Sequence, residues 1–132
     1  PYFDVFSNEL SYLSVIGCII ILIGVGLEIF ADIDMHKFLN NTHEKVTCKY
    51  GLWKCSRHPN YLGEITVWCG VFVTMITSVQ KHWWYIIGCI GMIFMFNVIS
   101  IPMMEKRQLS RRSDYIDYKK ETSRMLILPK KR

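Results

Sequence analysis

Three long apolar runs limit what this chain can fold into. Residues 13–30, LSVIGCIIILIGVGLEIF, carry one charge, Glu28. Residues 61–79, YLGEITVWCGVFVTMITSV, carry one, Glu64, and residues 83–104, WWYIIGCIGMIFMFNVISIPMM, carry none. Each run is close to the ~20 residues that an α-helix needs to cross the hydrocarbon core of a bilayer. A soluble core can bury one such run, but three of them in 132 residues leave too little polar chain to cover them. The composition agrees: 51% of residues are hydrophobic and 14% aromatic, and the mean hydropathy is +0.18. These values lie above the soluble norm. The expected fold is therefore an all-α, polytopic transmembrane helical bundle forming a single membrane domain over 1–132. Its spans are expected at about 13–35, 60–79 and 83–104, with a cytoplasmic loop at 36–59 and a cytoplasmic amphipathic helical tail at 105–132.

The bases orient the bundle. Five lie between Lys37 and Arg57, ten lie from Lys106 to Arg132, and Lys81 alone falls between the second and third runs. Three spans alternate sides, so the 37–57 loop and the tail share a face, and the positive-inside rule makes that face cytoplasmic. The N-terminus is then lumenal or outside. In a eukaryote this points to the endoplasmic reticulum. Trp83, Trp84 and Tyr85 form the expected aromatic belt at the far interface. Gly17, Gly24, Gly26, Gly70, Gly88 and Gly91 offer small surfaces for close helix contact. Sorted this way, the net charge of +5 reads as topology and anion binding, with no nucleic acid implied. The chain starts at Pro1 with no basic segment before the first apolar run, as expected of a processed chain or the C-terminal half of a larger domain.

The five cysteines imply no disulfide scaffold, since Cys18, Cys69 and Cys89 sit inside apolar runs as small hydrophobes. Cys48 and Cys55, near His43 and His58, do not have a zinc spacing, so no metal site is expected.

The polar residues of the runs cluster at their inner ends. Glu28 and Asp32 are four apart, as are Asn60 and Glu64; Asn97 and Ser100 precede Pro102 and Glu105. Carboxylates at such depth usually face protein or a wet cavity. The stretch WKCSRHPNYLGE at 53–64 suits an anion site. Pro59 fits the first turn of a helix, where its missing N–H is no loss. Lys54, Arg57 and His58 then stand at the positive end of that helix, whose free amides favour a phosphate. Asn60 and Glu64 are placed to orient the same ligand. In the tail, Glu105, Arg112 and Tyr115 fall near one helical face, with Tyr118 three residues on. Arg107, Arg111, Arg112, Lys119, Lys120 and Arg124 suit either a polyanionic cofactor or anionic lipid at the membrane surface.

Four segments occur in order: EIFADIDMHKF, GLWKCSRHPNYLGEITVWCG, SIPMMEKRQ and DYIDYKKETSRMLILPKK. Together they resemble the C-terminal half of the steroid 5-alpha-reductase-like membrane proteins, most closely a branch whose domain has no assigned function. That resemblance implies a membrane-embedded enzyme that uses NADPH to reduce a carbon–carbon double bond conjugated to a ketone in a steroid-like or other lipid. It maps Asp32, Arg57, Asn60, Glu64, Glu105, Tyr115 and Tyr118 onto cofactor-pocket or motif positions; His58, Arg111 and Arg112 join them as local candidates. Asp34 stands where relatives usually carry glutamine. A related branch shares the RHP.Y.G pattern and binds S-adenosylmethionine: the isoprenylcysteine carboxyl methyltransferases and phospholipid methyltransferases. Those carry paired glutamates after the last span, where this chain has Glu105 followed by Lys106. A non-catalytic membrane protein that keeps the fold is the third reading. In the reductases, the groups that polarise the ketone lie mainly in the N-terminal half. The catalytic donor is thus expected from that half or from a partner subunit, with Tyr61 the local candidate.

Overall fold

A computed structural model describes residues 12–78, 84 and 86–130. Among the described residues the chain forms four helices, α1 (Tyr12–Asn41), α2 (Pro59–Ser78), α3 (Ile86–Arg111) and the short α4 (Tyr115–Glu121), with a 3-10 turn at Gly51–Lys54. No β-strand occurs among the described residues, although Ser56 and Ser123 make an isolated parallel bridge. Helices α1 and α3 are long and apolar enough to cross a membrane. The third expected span, α2, has 20 residues and carries Asn60, Glu64 and several threonines; among the described residues it is not one of the two helices long and apolar enough to cross. Of the expected aromatic belt, Trp84 is about half exposed, while Trp83 and Tyr85 lie outside the described residues.

Helix α1 is longer than its apolar run. Its 30 residues span roughly 45 Å, longer than a hydrocarbon core is thick, and its polar end runs on into the segment expected as loop. Beyond Phe30 no proline or glycine occurs before Asn40-Asn41-Thr42, a sequence of weak helix formers.

Helices α1 and α2 pack antiparallel through facing glycines seven residues apart on each. A Cβ on Gly24 would lie 2.7 Å from the Gly63 carbonyl oxygen, and one on Gly70 would lie 2.8 Å from the Gly17 carbonyl oxygen. Such backbone-to-backbone approach leaves no room for a side chain. At Gly26, Gly88 and Gly91 the Cβ position meets open space among the described residues, so these three are not points of tight helix approach as expected from sequence, whereas Gly63 is one.

Helix α3 contains a π turn, Phe96–Ser100, just before Pro102. Proline has no N–H and its ring crowds the preceding turn. The chain answers by widening: the Ile101 N–H donates to the Phe96 carbonyl, five residues back. In that register the Asn97 carbonyl falls opposite Pro102, which cannot donate. The Arg124 guanidinium supplies the hydrogen bond instead, at 2.7 Å.

The most buried side chains are not in the apolar helices but at their inner ends. Cys48, Ser56, Pro59, Ile101 and Tyr118 are fully enclosed, whereas most large apolar residues of α1 and α3 are exposed. The tail closes this inner core by folding back. The Arg57 N–H donates to the Ser123 carbonyl (2.9 Å), and the Ser56 hydroxyl donates to the Met125 carbonyl (2.7 Å). From α4, the Tyr118 hydroxyl donates to the Trp53 carbonyl (2.5 Å), with the Ser56 carbonyl 3.1 Å away. The 50–54 turn docks on α1 in the same way. Trp53 Nε1 donates to the Ala31 carbonyl (2.9 Å), and Leu52 N–H donates to Asp34 (3.1 Å). Gly51 makes this possible: its φ of 56° and the Asp34 carboxylate pressed against it exclude any side chain. Removing the Tyr118 hydroxyl is expected to cost about 1–3 kcal/mol, because it strands a buried carbonyl. Tyr118→Phe in chemical denaturation of the detergent-solubilised protein tests this; an unchanged midpoint would deny the strap its anchoring role.

Candidate functional site

The inner ends of α1, α2 and α3, together with α4, line a cleft of about 100 Å³. The first turn of α2 and the residues before it contribute Arg57, His58, Asn60 and Tyr61. Helix α3 contributes Met104 and Gln108, one turn apart on one face, and Arg112 follows just past its end. Tyr115 and Tyr118 close the cleft from α4, and Met35, Thr47, Cys48 and Trp53 complete it.

Arg57 is the pivot. Its side chain is only 9% exposed, and its terminal nitrogen meets Glu105 Oε1 at 2.5 Å. Glu105 also takes Lys119 Nζ on its other oxygen at 3.0 Å. Arg57 lines a second, more open groove of about 450 Å³ with Lys106, Lys119 and Arg124. A buried acid thus holds a buried guanidinium where the cleft meets an open basic groove.

His58 lies 3.4 Å from the same Glu105 oxygen through Nε2. Burial pushes its pKa down to about 4 against the opposing pull of Glu105. The imidazole is therefore neutral at pH 7, and its contact with Glu105 is a hydrogen bond rather than an ion pair. Its ring stacks on Tyr61 (5.4 Å between centroids), which stacks on Phe96 of the π turn (4.7 Å). Burial likewise raises the Tyr115 hydroxyl to about 12 and pushes Tyr118 further up, so both stay protonated and able to donate. Asp114, at the start of α4, is raised by burial, but hydrogen bonds from the Thr47 N–H and hydroxyl outweigh this and hold its carboxyl below the usual range. That contact ties the inner loop to the roof of the cleft.

Because the folded pKa of His58 is depressed, its contribution to stability is complete above the unfolded value near 6.5. It is lost as pH falls toward 4, where the unfolded chain gains a proton that the folded chain refuses. The loss should reach up to about 3 kcal/mol. His58→Gln is expected to flatten the stability profile between pH 6.5 and 4; an unchanged slope would show that His58 is not buried in neutral form.

Three buried side-chain atoms that belong to the lining have no hydrogen-bond partner: Arg57 Nε, Asn60 Oδ1 and Gln108 Oε1. Of the residues singled out from sequence, Arg57, His58, Asn60, Arg112, Tyr115 and Tyr118 line the cleft, and Glu105 supports it from behind Arg57. Asp32 and Arg111 are exposed and do not line it. Glu64 lies one turn beyond Asn60, outside the lining, as do Asn97 and Ser100. Asn97 turns its amide to the Ile93 carbonyl of its own helix. Gln108 went unmarked in the sequence, although its i+4 spacing from Met104 and to Arg112 was there to be read. No group of His, Cys, Asp or Glu suited to a metal occurs among the described residues.

Residues 4–122, most of the chain, match the model of a family described as a protein of unknown function, DUF1295. No curated protein and no solved structure matches the chain.

Proposed function

The chain belongs to the DUF1295 family, and on that premise we propose that it is the cofactor-holding part of a membrane-embedded reductase that uses NADPH to saturate the conjugated double bond of a steroid-like or other lipid enone. In this reading α2 is a third span, packed on α1 along the glycine seam. The loop, the cleft and the tail face the cytoplasm, and an N-terminal half or partner subunit completes the catalytic site. The sequence resemblance to the steroid 5-alpha-reductase-like proteins supplies the reaction class.

One observation carries the proposal: Arg57 is held rigid by Glu105, yet its Nε–H is buried and unpartnered beside Asn60. A buried donor without a partner is a fit for an acceptor brought by a ligand. The surrounding groups suit a phosphorylated dinucleotide. The basic groove would take the phosphates through Lys106, Lys119 and Arg124, and the cleft would take a flat ring. Arg112, which lines the cleft, adds a second guanidinium. When bound, the nicotinamide supplies the hydride. The chain's own work is to orient that ring, to exclude water by folding α4 and the tail over it, and to hold protons at the hydroxyls of Tyr115 and Tyr61. Tyr61, stacked between His58 and Phe96, is the local candidate for polarising the ketone oxygen.

Equilibrium binding to the purified, detergent-solubilised chain tests the proposal, with labelled NADPH set against S-adenosylmethionine. NADPH is expected to bind, and Arg112→Gln is expected to weaken it by about tenfold or more, the size of a lost charge-assisted hydrogen bond. Binding of S-adenosylmethionine alone would replace the reductase reading with a methyltransferase. Binding of neither would leave a non-catalytic membrane protein.

A further inference from the structure

The cleft holds two buried acceptors from different helices. Asn60 Oδ1 comes from the first turn of α2 and Gln108 Oε1 from the cytoplasmic end of α3; both are shielded from solvent and neither receives a hydrogen bond. Two stranded amide oxygens in one small cleft are costly unless a ligand answers them. Three of the neighbouring donor side chains are engaged elsewhere. The Tyr118 hydroxyl donates to the Trp53 carbonyl, His58 Nε2 faces Glu105, and Arg57 is paired with Glu105 through its terminal nitrogen.

What satisfies such a pair is a ligand that brings two N–H bonds. A flat ring bearing one NH2 group does this with both hydrogens in the ring plane, and it offers an acceptor alongside, suited to the free Arg57 Nε–H. The rest of the lining suits a ring, since Trp53, Met35 and Met104 are broad and apolar and Tyr61 is held flat against His58. We propose that Asn60 and Gln108 together accept the two N–H bonds of an amino or carboxamide group on a planar nitrogen heterocycle, which makes Gln108 a ligand-orienting residue of this site. The inference rests on the dinucleotide reading above and sharpens it. A dinucleotide carries such a group at both ends, as the carboxamide of nicotinamide and the amine of adenine.

The test compares NADPH with two analogues on the purified full chain in detergent. One replaces the carboxamide with an acetyl group, and the other replaces adenine with hypoxanthine; each removes one NH2. One of the two is expected to bind about tenfold or more weakly than NADPH, and which one identifies the end that sits in the cleft. Gln108→Met, similar in size but without the acceptor, should abolish most of that difference; thermal melting confirms that the variant is folded. If NADPH binds and both analogues match it within about twofold, or if the difference survives Gln108→Met, the inference fails while the reductase reading stands. If no dinucleotide binds the unmodified chain, both fall together.

Discussion

Glu105→Ala is expected to destabilise the protein by about 3–5 kcal/mol, the range found when one partner of a buried ion pair is removed. Glu105 is 5% exposed and receives Arg57, Lys119 and His58. Lys119 is nearly half exposed and can return to water, so its loss is cheap. Arg57 cannot, because the Ser123 strap and the α4 tyrosines enclose it, and its charge would be left buried without an answering carboxylate. Glu105→Gln keeps an acceptor for the guanidinium and should cost less. A double variant, Arg57→Met with Glu105→Leu, should be more stable than Glu105→Ala, because it removes both buried charges. Denaturant titration in detergent reads all three. A loss below about 1 kcal/mol in Glu105→Ala would mean that the pair is in effect solvated and does not organise the cleft.

The second large effect is expected at the glycine seam. At Gly63, an added Cβ would lie 2.8 Å from the Gly24 carbonyl oxygen and 2.9 Å from the Glu28 backbone nitrogen. Both obstacles are backbone, so neither can turn aside as a side-chain tip would. Gly63→Leu must separate α1 from α2 along the seam. It should cost at least the ~1–3 kcal/mol of ordinary overpacking, and more where a helix has to move. Gly26 and Gly91 are the internal controls, since neither meets an atom within 4 Å. Alanine at either should be neutral or stabilising by about 0.5–1 kcal/mol, from helix propensity alone. Equal damage at Gly63 and Gly91 would refute the seam. The consequence is functional as well, because the first turn of α2 carries Asn60 and Tyr61 into the cleft.

What the sequence makes legible follows from periodicity and local chemistry. The apolar runs announce α1 and α3, and Pro59 marks the start of α2 as a first-turn proline should. Arg57, His58 and Asn60 are recognisable as a cluster because they are neighbours in the chain. The rest depends on contacts between distant segments. Nothing local says that residues 123–128 fold back on 55–57, or that Glu105 is the counterion of a residue 48 positions earlier. Nor does the sequence tell that Pro102 widens α3 and frees a carbonyl for Arg124. Asp32 and Glu64 looked equivalent to Asn60 because depth was the only coordinate available. Direction around the helix separates them: Asn60 turns toward α3 and α4, whereas the turn that carries Gly63 and Glu64 packs toward α1 and Glu28. Gln108 was hidden for the opposite reason, being an uncharged residue among bases.

The most direct measurement is photoaffinity labelling with an azido-adenine analogue of NADP, followed by mapping of the modified peptides. The account expects label on residues 53–61 or on residues 104–119, blocked by excess NADPH. Label confined to the exposed apolar turns of α1, or label that NADPH does not displace, would contradict it.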